Sequence, residues 1–433
     1  MKTTDLAYRT TVPVWPACDV LVIGGGSAGS AAAVAAALGG ARVVLVERYG
    51  FLGGTGVMVL DTFYGFFTPG TVERKVVGGI PDLVVERLAK HGAVLKRPNT
   101  YGAGAGWTYD PERLKVVWDD LVSEAGVEVL LHTHFVDVIR TDGRVGGAVV
   151  ATRRGLVAIP AGVVVDASGD AEVVARAGGS FEDSGALGVA QSLTTTFKMI
   201  NVDVARATAV PKSALWEAIH ESAESGAYDL PRREGSAHIS PLDSVMVTNM
   251  TRVAGVDATD PHALSAAERD GRRQAFEYAR FLRDRIPGYE AAALGGLATQ
   301  IGVRETRRIR GLYWLTREDV IRATKFADAI ARCGAPIEEH HAGGDTRWEY
   351  LPDGETYDIP YRCLVPEDVD GVIVAGRCLS ASHDAHASVR SIGQCLAMGQ
   401  AAGTAAAMAR DGDFRGIDTH ALRERLIALG AVL

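Results

Sequence analysis

Sulfur is scarce in this sequence. Five cysteines, Cys18, Cys333, Cys363, Cys378 and Cys395, are spread over 433 residues, and no two stand as CxxC. The odd count and wide spacing argue against a disulfide framework or a dithiol redox pair and fit a reducing compartment. No apolar run reaches the ~18–20 residues that a membrane span needs. Residues 1–17 hold Lys2, Asp5, Arg9 and two prolines, so they lack a signal-peptide core, and a cytoplasmic location is expected. Basic residues are in deficit, 45 Lys and Arg against 53 Asp and Glu, for a net charge of −8. That balance argues against nucleic-acid and anionic-membrane partners. Metal-ligand spacing is also missing. His340-His341 has no HxxxH or carboxylate partner at a recognised distance and reads as an exposed loop pair. There is no repeat of ~20–50 residues, and nothing fixes an oligomeric state.

The chain does have a core-forming composition, 47% hydrophobic and 23% charged, and enough length for about two or three domains. Its organising stretch is 18–47, CDVLVIGGGSAGSAAAVAAALGGARVVLVE. An apolar run at 20–23 reads as a buried parallel strand. Gly24-Gly25-Gly26-Ser27-Ala28-Gly29 is a GxGxxG turn, followed by an alanine-rich helix to about Leu38. A second apolar run then ends in Glu47, about 20 residues past the first glycine. This order suits a bound dinucleotide. Gly24 permits the turn, Gly26 lets the backbone approach a pyrophosphate, and Gly29 lets the helix pack on the strand. The helix N-terminus faces the anion, and Glu47 is placed for a ribose hydroxyl.

Further along, Asp110-Pro111-Glu112 opens a helix expected to run to about Ala125. A strand at 127–131 and a β-meander at 135–140, 145–153 and 156–160 follow, and then a separate buried strand at 163–165. Helices are expected over 171–177, 212–224, 262–286, 389–410 and 419–429. The charged residues of 262–286, Glu268 among them, read as a solvated face. The stretch 342–355 reads as a polar loop. After a change of texture at 181–365, the apolar run at 371–375 brings back the first pattern. The fold expected is α/β: a Rossmann-type nucleotide domain (parallel sheet plus β-meander) with an inserted α+β substrate domain. The nucleotide domain comprises 18–60, 110–180 and 366–433; the substrate or cap domain comprises 61–109 and 181–365.

Four segments give the chain a family resemblance. They are VLVIGGGSAGSAAAVAAA with VVLVERYGFLGG, VVVDASGDAEVVARAG, IGVRETRRIRGLYWLTREDV, and VIVAGRCLSASHDAHASVRSIGQCLAMGQAAGTAAA. With them the sequence resembles two-domain FAD flavoproteins of the glutathione-reductase-like superfamily, and more narrowly the FAD-dependent oxidoreductase family. The resemblance implies a flavoprotein with FAD as cofactor. It assigns Gly24, Gly26, Ser27, Ala28 and Gly29 to the pyrophosphate, and Glu47 and Arg48 to the adenosine. Gly53, Gly54 and Thr55 would approach the ribityl chain and flavin. The backbone near Phe135 and Val136 would meet the adenine. Ala167, Ser168, Gly169 and Asp170 form a second FAD-contacting segment. Gly376-Arg377 stands where the wider superfamily usually has Gly-Asp, and Ser391, Ile392 and Gly393 would point a helix N-terminus at the flavin N1/C2=O edge. In succinate-dehydrogenase-type relatives a His soon after the second strand carries covalent FAD. FLGGTGVMVL has none, so non-covalent FAD is expected.

For chemistry, His383 and His386 are the candidate bases beside the flavin, the alternative being helix capping or a bond to FAD. Arg304 is a candidate carboxylate or phosphate clamp, set against a salt-bridged run with Arg307, Arg308 and Arg310. Arg390 could lie near the pyrimidine edge or the substrate. Tyr361, at the domain junction, is a further candidate.

The function expected is an FAD-dependent oxidoreductase moving a hydride between a small organic substrate and flavin N5 in an interdomain crevice. A flavin monooxygenase and a non-catalytic FAD-binding module are the alternatives. The external electron donor or acceptor is open between O₂, a nicotinamide and a carrier protein. No second nucleotide fingerprint exists, since the glycine cluster 102–106 follows no expected strand.

Overall fold

The structure, a computed structural model, describes residues 9–99, 103–340 and 346–433. Strand β1 (Cys18–Ile23) leads through the glycine turn into helix α1 (Ser27–Leu38) and then β2 (Val43–Val46). Asp110 caps α2 (Pro111–Glu124) by accepting from Glu112 N at 3.0 Å. There follow β3 (Glu128–Leu130), β4 (His134–Thr141), β5 (Arg144–Thr152) and β6 (Gly155–Asp166). The chain returns to this sheet only at β7 (Val372–Val374), which precedes α3 (His383–Val389) and α4 (Ile392–Met408). The sheet order is β3-β2-β1-β6-β5-β4, with β7 also pairing β6. The neighbours of β1 are parallel, Val20 opposite Val43 on one side and Val163 on the other. The fold is therefore α/β, with a parallel-rich Rossmann-type sheet and an antiparallel meander. Val20, Leu21 and Val22 are fully buried, as expected where helices cover both faces. On α4, an added Cβ at Gly399 or Gly403 would collide with the carbonyl oxygen of Ala28 or Ala32 on α1. Small residues thus let the two helices approach closely.

Four local expectations are corrected. The runs 156–160 and 163–165 are one strand. Pro160 closes the β5 pairing opposite Gly147, and Ala161 opens the β1 pairing opposite Cys18. A proline at that handover costs the ladder no bond, so it does not end the strand. The helix expected over 389–410 starts at Ile392, and a separate short helix, α3, precedes it. Ser391 is extended (φ −56°, ψ 148°) and starts α4 afresh, while His383 and His386 lie on α3, capped by Ser382. The loop 342–355 contains a strand, Arg347–Glu349, paired with Ile337–Glu339; residues 342–345 lie outside the described residues. The glycine cluster at 102–106 does follow a strand. Val94–Pro98 pairs antiparallel with Ala105–Tyr109, so the cluster belongs to a hairpin rather than a nucleotide turn, and Gly102 lies outside the described residues.

The largest core runs from the Rossmann sheet through Phe63, Tyr109 and Trp118 to Ile309, Ile330, Tyr357 and Tyr361. A second core, with Phe197, Met199, Ile219, Tyr278, Phe281 and Leu282, lies between other elements. These include a four-stranded antiparallel sheet of Phe197–Ile200, Ser236–Ile239, Met246–Asn249 and Ala293–Leu297, and the helix Pro261–Arg285. Among the described residues no helix is long and apolar enough to cross a membrane.

Candidate active site

A single cavity of about 1110 Å³ is lined from both groups of elements. Its first part is the glycine turn. Gly24 takes φ +96°, where an L side chain is strained. A Cβ at Gly26 would meet only Gly54 Cα, at 3.8 Å, so the space beside Gly26 is open. The cap of α1 makes no side-chain bond and its first turn holds no acid. Its N–H groups are therefore free of carboxylate competition for an anion. Glu47 is anchored by Gly25 N at 2.7 Å and Tyr49 N at 2.8 Å; burial raises its pKa, and these two N–H groups oppose the shift.

At the end of β6, fully buried Asp166 accepts from Ser168 Oγ at 2.6 Å and Val173 N at 2.9 Å, which fixes the 167–170 turn. Burial works against charge on Asp170, but Arg377 at 2.5 Å and Thr306 at 2.7 Å overcome it, and its pKa lies below the ordinary value. Arg377 therefore faces a carboxylate supplied by the second segment. Glu172, beside Asp170, is pushed up to about 7, by burial first and by Asp170 next.

The cavity is lined by Gly24, Gly26, Ser27, Ala28, Glu47, Arg48, Gly54, Thr55, Val136, Ala167, Ser168, Gly169, Asp170, Gly376, Arg377, Ser391 and Ile392. Gly29, Gly53 and Gly393 stand behind this lining. A Cβ at Gly29 would strike the Gly24 carbonyl oxygen, so that glycine serves helix–strand packing. Gly53 N donates to Gly25 O at 2.8 Å, and Gly393 N to Tyr64 O at 2.9 Å. The cradle fits an adenine dinucleotide: an open glycine turn, an uncapped helix start and an anchored acid meet in one hollow. The cap of α4 likewise makes no side-chain bond, and Ser391 and Ile392 open onto the cavity.

The same cavity is also lined by Arg304, Glu338, His340 and Arg390. Arg304 Nη1 donates to Ser192 O, and Arg390 Nη2 donates to Gln191 Oε1 at 2.9 Å. His340 is only 2% exposed, so the reading of an exposed histidine pair fails for it; His341 lies outside the described residues. Its Nε2 lies 2.9 Å from Glu338 Oε1 and its Nδ1 3.1 Å from Thr346 Oγ1. Thr346 Oγ1 donates to Glu234 and accepts from Arg252 Nη2 at 3.1 Å. Its remaining lone pair takes the His340 Nδ1–H. Burial, then Arg304, Arg232 and Arg390, keep the His340 pKa well below its ordinary value. The neutral ring thus presents a lone pair at Nε2 to Glu338. Burial raises the Glu338 pKa against the pull of Arg390 and Arg304. A carboxylate facing a lone pair at 2.9 Å requires a proton between them, so Glu338 and His340 together hold one.

Three expected catalytic residues do not line this cavity. His383 Nδ1 contacts Glu305 Oε2 at 2.9 Å, and its Nε2 lies 3.3 Å from Glu339. Burial opposes its charge, but the two carboxylates raise its pKa. His386 is fully buried and donates from Nε2 to Arg377 O at 2.9 Å. The Tyr361 hydroxyl donates to Phe414 O at 2.9 Å within the core. Glu268, read as solvated, accepts from Ile301 N at 2.8 Å and lines the cavity. Glu338 and His340 were missed, although their spacing of two places both side chains on one face of an extended segment.

A family profile described as FAD dependent oxidoreductase matches residues 19–426. No curated protein matches the chain. Among solved structures it is similar to a geranylgeranyl bacteriochlorophyll reductase-like protein from Thermoplasma acidophilum. The identity is 14%, over 95% of this chain and 83% of that one, with a TM-score of 0.45. A flavin-dependent brominase is 15% identical over 95% and 83%, with a TM-score of 0.47. A p-nitrophenol 4-monooxygenase from Pseudomonas putida is 12% identical over 96% and 84%, with a TM-score of 0.46.

Proposed function

We propose, from the premise that this chain belongs to the FAD dependent oxidoreductase family and is an FAD-using enzyme, that it moves a hydride between a small organic substrate and its cofactor. The observation that carries this reading is the single cavity, with an adenine-dinucleotide cradle in one part and Arg304, Glu338, His340 and Arg390 in another. The arrangement we propose is that of the two-domain, glutathione-reductase-like flavoproteins. The nucleotide domain is 18–60, 110–180 and 366–433, and 61–109 and 181–365 supply the substrate side.

When bound, FAD supplies the two-electron chemistry at its N5. The cofactor-contacting set is the 17 residues from Gly24 to Ile392 named above as lining the cavity. Glu47 orients the ribose. The free N–H groups of α1 would meet the pyrophosphate, and those at the start of α4 the pyrimidine edge. The attachment is non-covalent. Cys395, the cysteine that lines the cavity, is pushed up to about 12 by burial, so it does not offer a thiolate.

The proton that accompanies a hydride belongs to the Glu338–His340 pair. The pair gives it to the substrate in the reducing direction and takes it back in the oxidising one. His383 and His386 position the site: His383 holds Glu305, next to Arg304, and His386 holds the Arg377 carbonyl.

To test the reading, holoprotein is mixed with candidate organic substrates without oxygen and the ~450 nm flavin band is followed. Bleaching by one substrate class supports it. A band that no organic reductant bleaches, and that does not recover when reduced protein meets organic acceptors, points to an FAD-binding module.

A further inference from the structure

We infer that this enzyme's substrate carries a carboxylate, held between Arg304 and Arg390. The inference rests on the reading of that part of the cavity as the substrate site.

Elsewhere in the same protein, three largely buried arginines each meet a carboxylate. Arg252 meets Glu234 at 2.7 Å, Arg308 meets Glu305 at 3.1 Å and Arg377 meets Asp170 at 2.5 Å. Each of these three guanidinia has its carboxylate, because an uncompensated buried charge is expensive, whereas buried Arg97 donates to the neutral oxygens of Thr108, Pro98 and Thr62. Arg304 and Arg390 also lack a carboxylate partner, and unlike Arg97 they line the cavity. Arg304 donates to the Ser192 carbonyl; Arg390 donates to the Gln191 amide oxygen at 2.9 Å and the Glu338 carbonyl at 3.4 Å. These acceptors are neutral. Among the described residues neither arginine makes an ion pair, and Arg390 Nε has no hydrogen-bond partner.

Gln191 and Ser192 are adjacent, so one short segment holds both forks, and the two arginines line the cavity. Burial, then Arg390, lowers the Arg304 pKa, and burial lowers that of Arg390; Glu338 opposes the shift at both without cancelling it. A guanidinium does not surrender its proton in a protein. The cost is therefore relieved by an anion, and two planar forks match a carboxylate's two oxygens. Glu338 stands in the same pocket and shares one proton with His340. A phosphate dianion would crowd that acid with charge, whereas a monoanionic carboxylate leaves it room.

The test is equilibrium binding to the FAD-loaded enzyme by calorimetry, which needs no turnover. The probes are aliphatic and aromatic carboxylates, succinate and benzoate among them, each beside its amide, and inorganic phosphate. The inference expects carboxylates to bind at least ~10-fold tighter than amides and phosphate, and Arg304→Met and Arg390→Met each to weaken carboxylate binding by ~10-fold or more. Arg304→Lys should recover part of the loss, and retained flavin absorbance reports a folded site.

Equal affinity for acid and amide, no carboxylate binding, or tighter phosphate binding overturns the inference. So does a carboxylate preference that both Met variants keep. A variant that moves the flavin midpoint potential without moving carboxylate affinity would place the arginines on the cofactor instead. Should carboxylates bind as expected while no substrate bleaches the flavin, the hydride-transfer reading fails and this one stands. Bleaching by neutral substrates alone reverses that outcome.

Discussion

His383 Nδ1 lies 2.9 Å from Glu305 Oε2, and this contact ties helix α3 to the segment that carries Arg304. Glu305 is fully buried and also accepts from Ser184 Oγ at 2.9 Å and Gln191 N at 3.3 Å, with Arg308 Nε 3.1 Å away. One carboxylate therefore holds the residue before Ser192 and the residue after Arg304 in register. A histidine beside the expected flavin position looks catalytic in sequence; here it contacts the residue next to Arg304.

Removing that charge should cost stability. Glu305→Gln takes one of two carboxylates from Arg308 and His383, which keep Glu182 and Glu339, an expected loss of about 2–3 kcal/mol. Burial opposes ionisation of Glu305, but His383, His386 and Arg308 bring its pKa down to about 2, from 4.5. A lowered acid pKa stabilises fully above pH 4.5, and the gain is lost as pH falls from there towards about 2. Urea midpoints of wild type and variant should differ most above pH 4.5 and converge below it. A gap that does not narrow on acidification would contradict this.

The glycine turn offers a paired test. Gly26→Val should leave a folded protein without FAD, since its side chain enters the open space beside Gly54. Gly29→Val should instead destabilise the fold, by ~2 kcal/mol or more, because its side chain strikes the Gly24 carbonyl. Flavin content and thermal midpoint separate the two. A yellow Gly26→Val protein would remove the pyrophosphate assignment.

The proton pair is tested by Glu338→Gln. The amide still donates to His340 Nε2, so the fold and FAD content should hold, while kcat falls ~10²–10⁴-fold with little change in KM. The pH–rate limb that belongs to the pair should also vanish. Unchanged kcat at full flavin content would show that the pair moves no proton.

Glu172 gives a prediction of opposite sign to Glu305. Its pKa is raised from 4.5 to about 7, so the folded state keeps a proton that the unfolded state has lost, and its share of stability falls as pH rises from 4.5 to 7. The side chain is 36% exposed, so solvent screening trims the effect to about 1 kcal/mol. Glu172→Gln should match wild type near pH 4.5 and exceed it at pH 8 by that amount. Equal midpoints at both values would show an unperturbed carboxyl.

The sequence is legible where structure follows from neighbours along the chain. The β1–turn–α1–β2 unit, the Asp110 cap and the return at β7 are local patterns, and each forms as its residues suggest. Pro160 misleads because its meaning depends on where one sheet partner hands over to another, and Arg390-Ser391 because small helical residues hide a break. The substrate part of the site was hardest to read. Arg304, Glu338, His340 and Arg390 come from distant segments joined by pairings such as Ser192 N to His340 O at 2.8 Å and Thr194 opposite Gly302. No local periodicity announces such contacts. His340, with no ligand spacing around it, reads as surface in the sequence, and the pairing with Ser192 buries it.

The central claim is that one cavity holds FAD and, beside Glu338 and His340, the group it oxidises or reduces. The most direct measurement is anaerobic reduction of purified holoenzyme, followed at ~450 nm for wild type and Glu338→Gln at equal flavin content. The account predicts that an organic substrate bleaches wild type and that the variant bleaches at least ~10²-fold more slowly. Equal bleaching rates in the two proteins would contradict it.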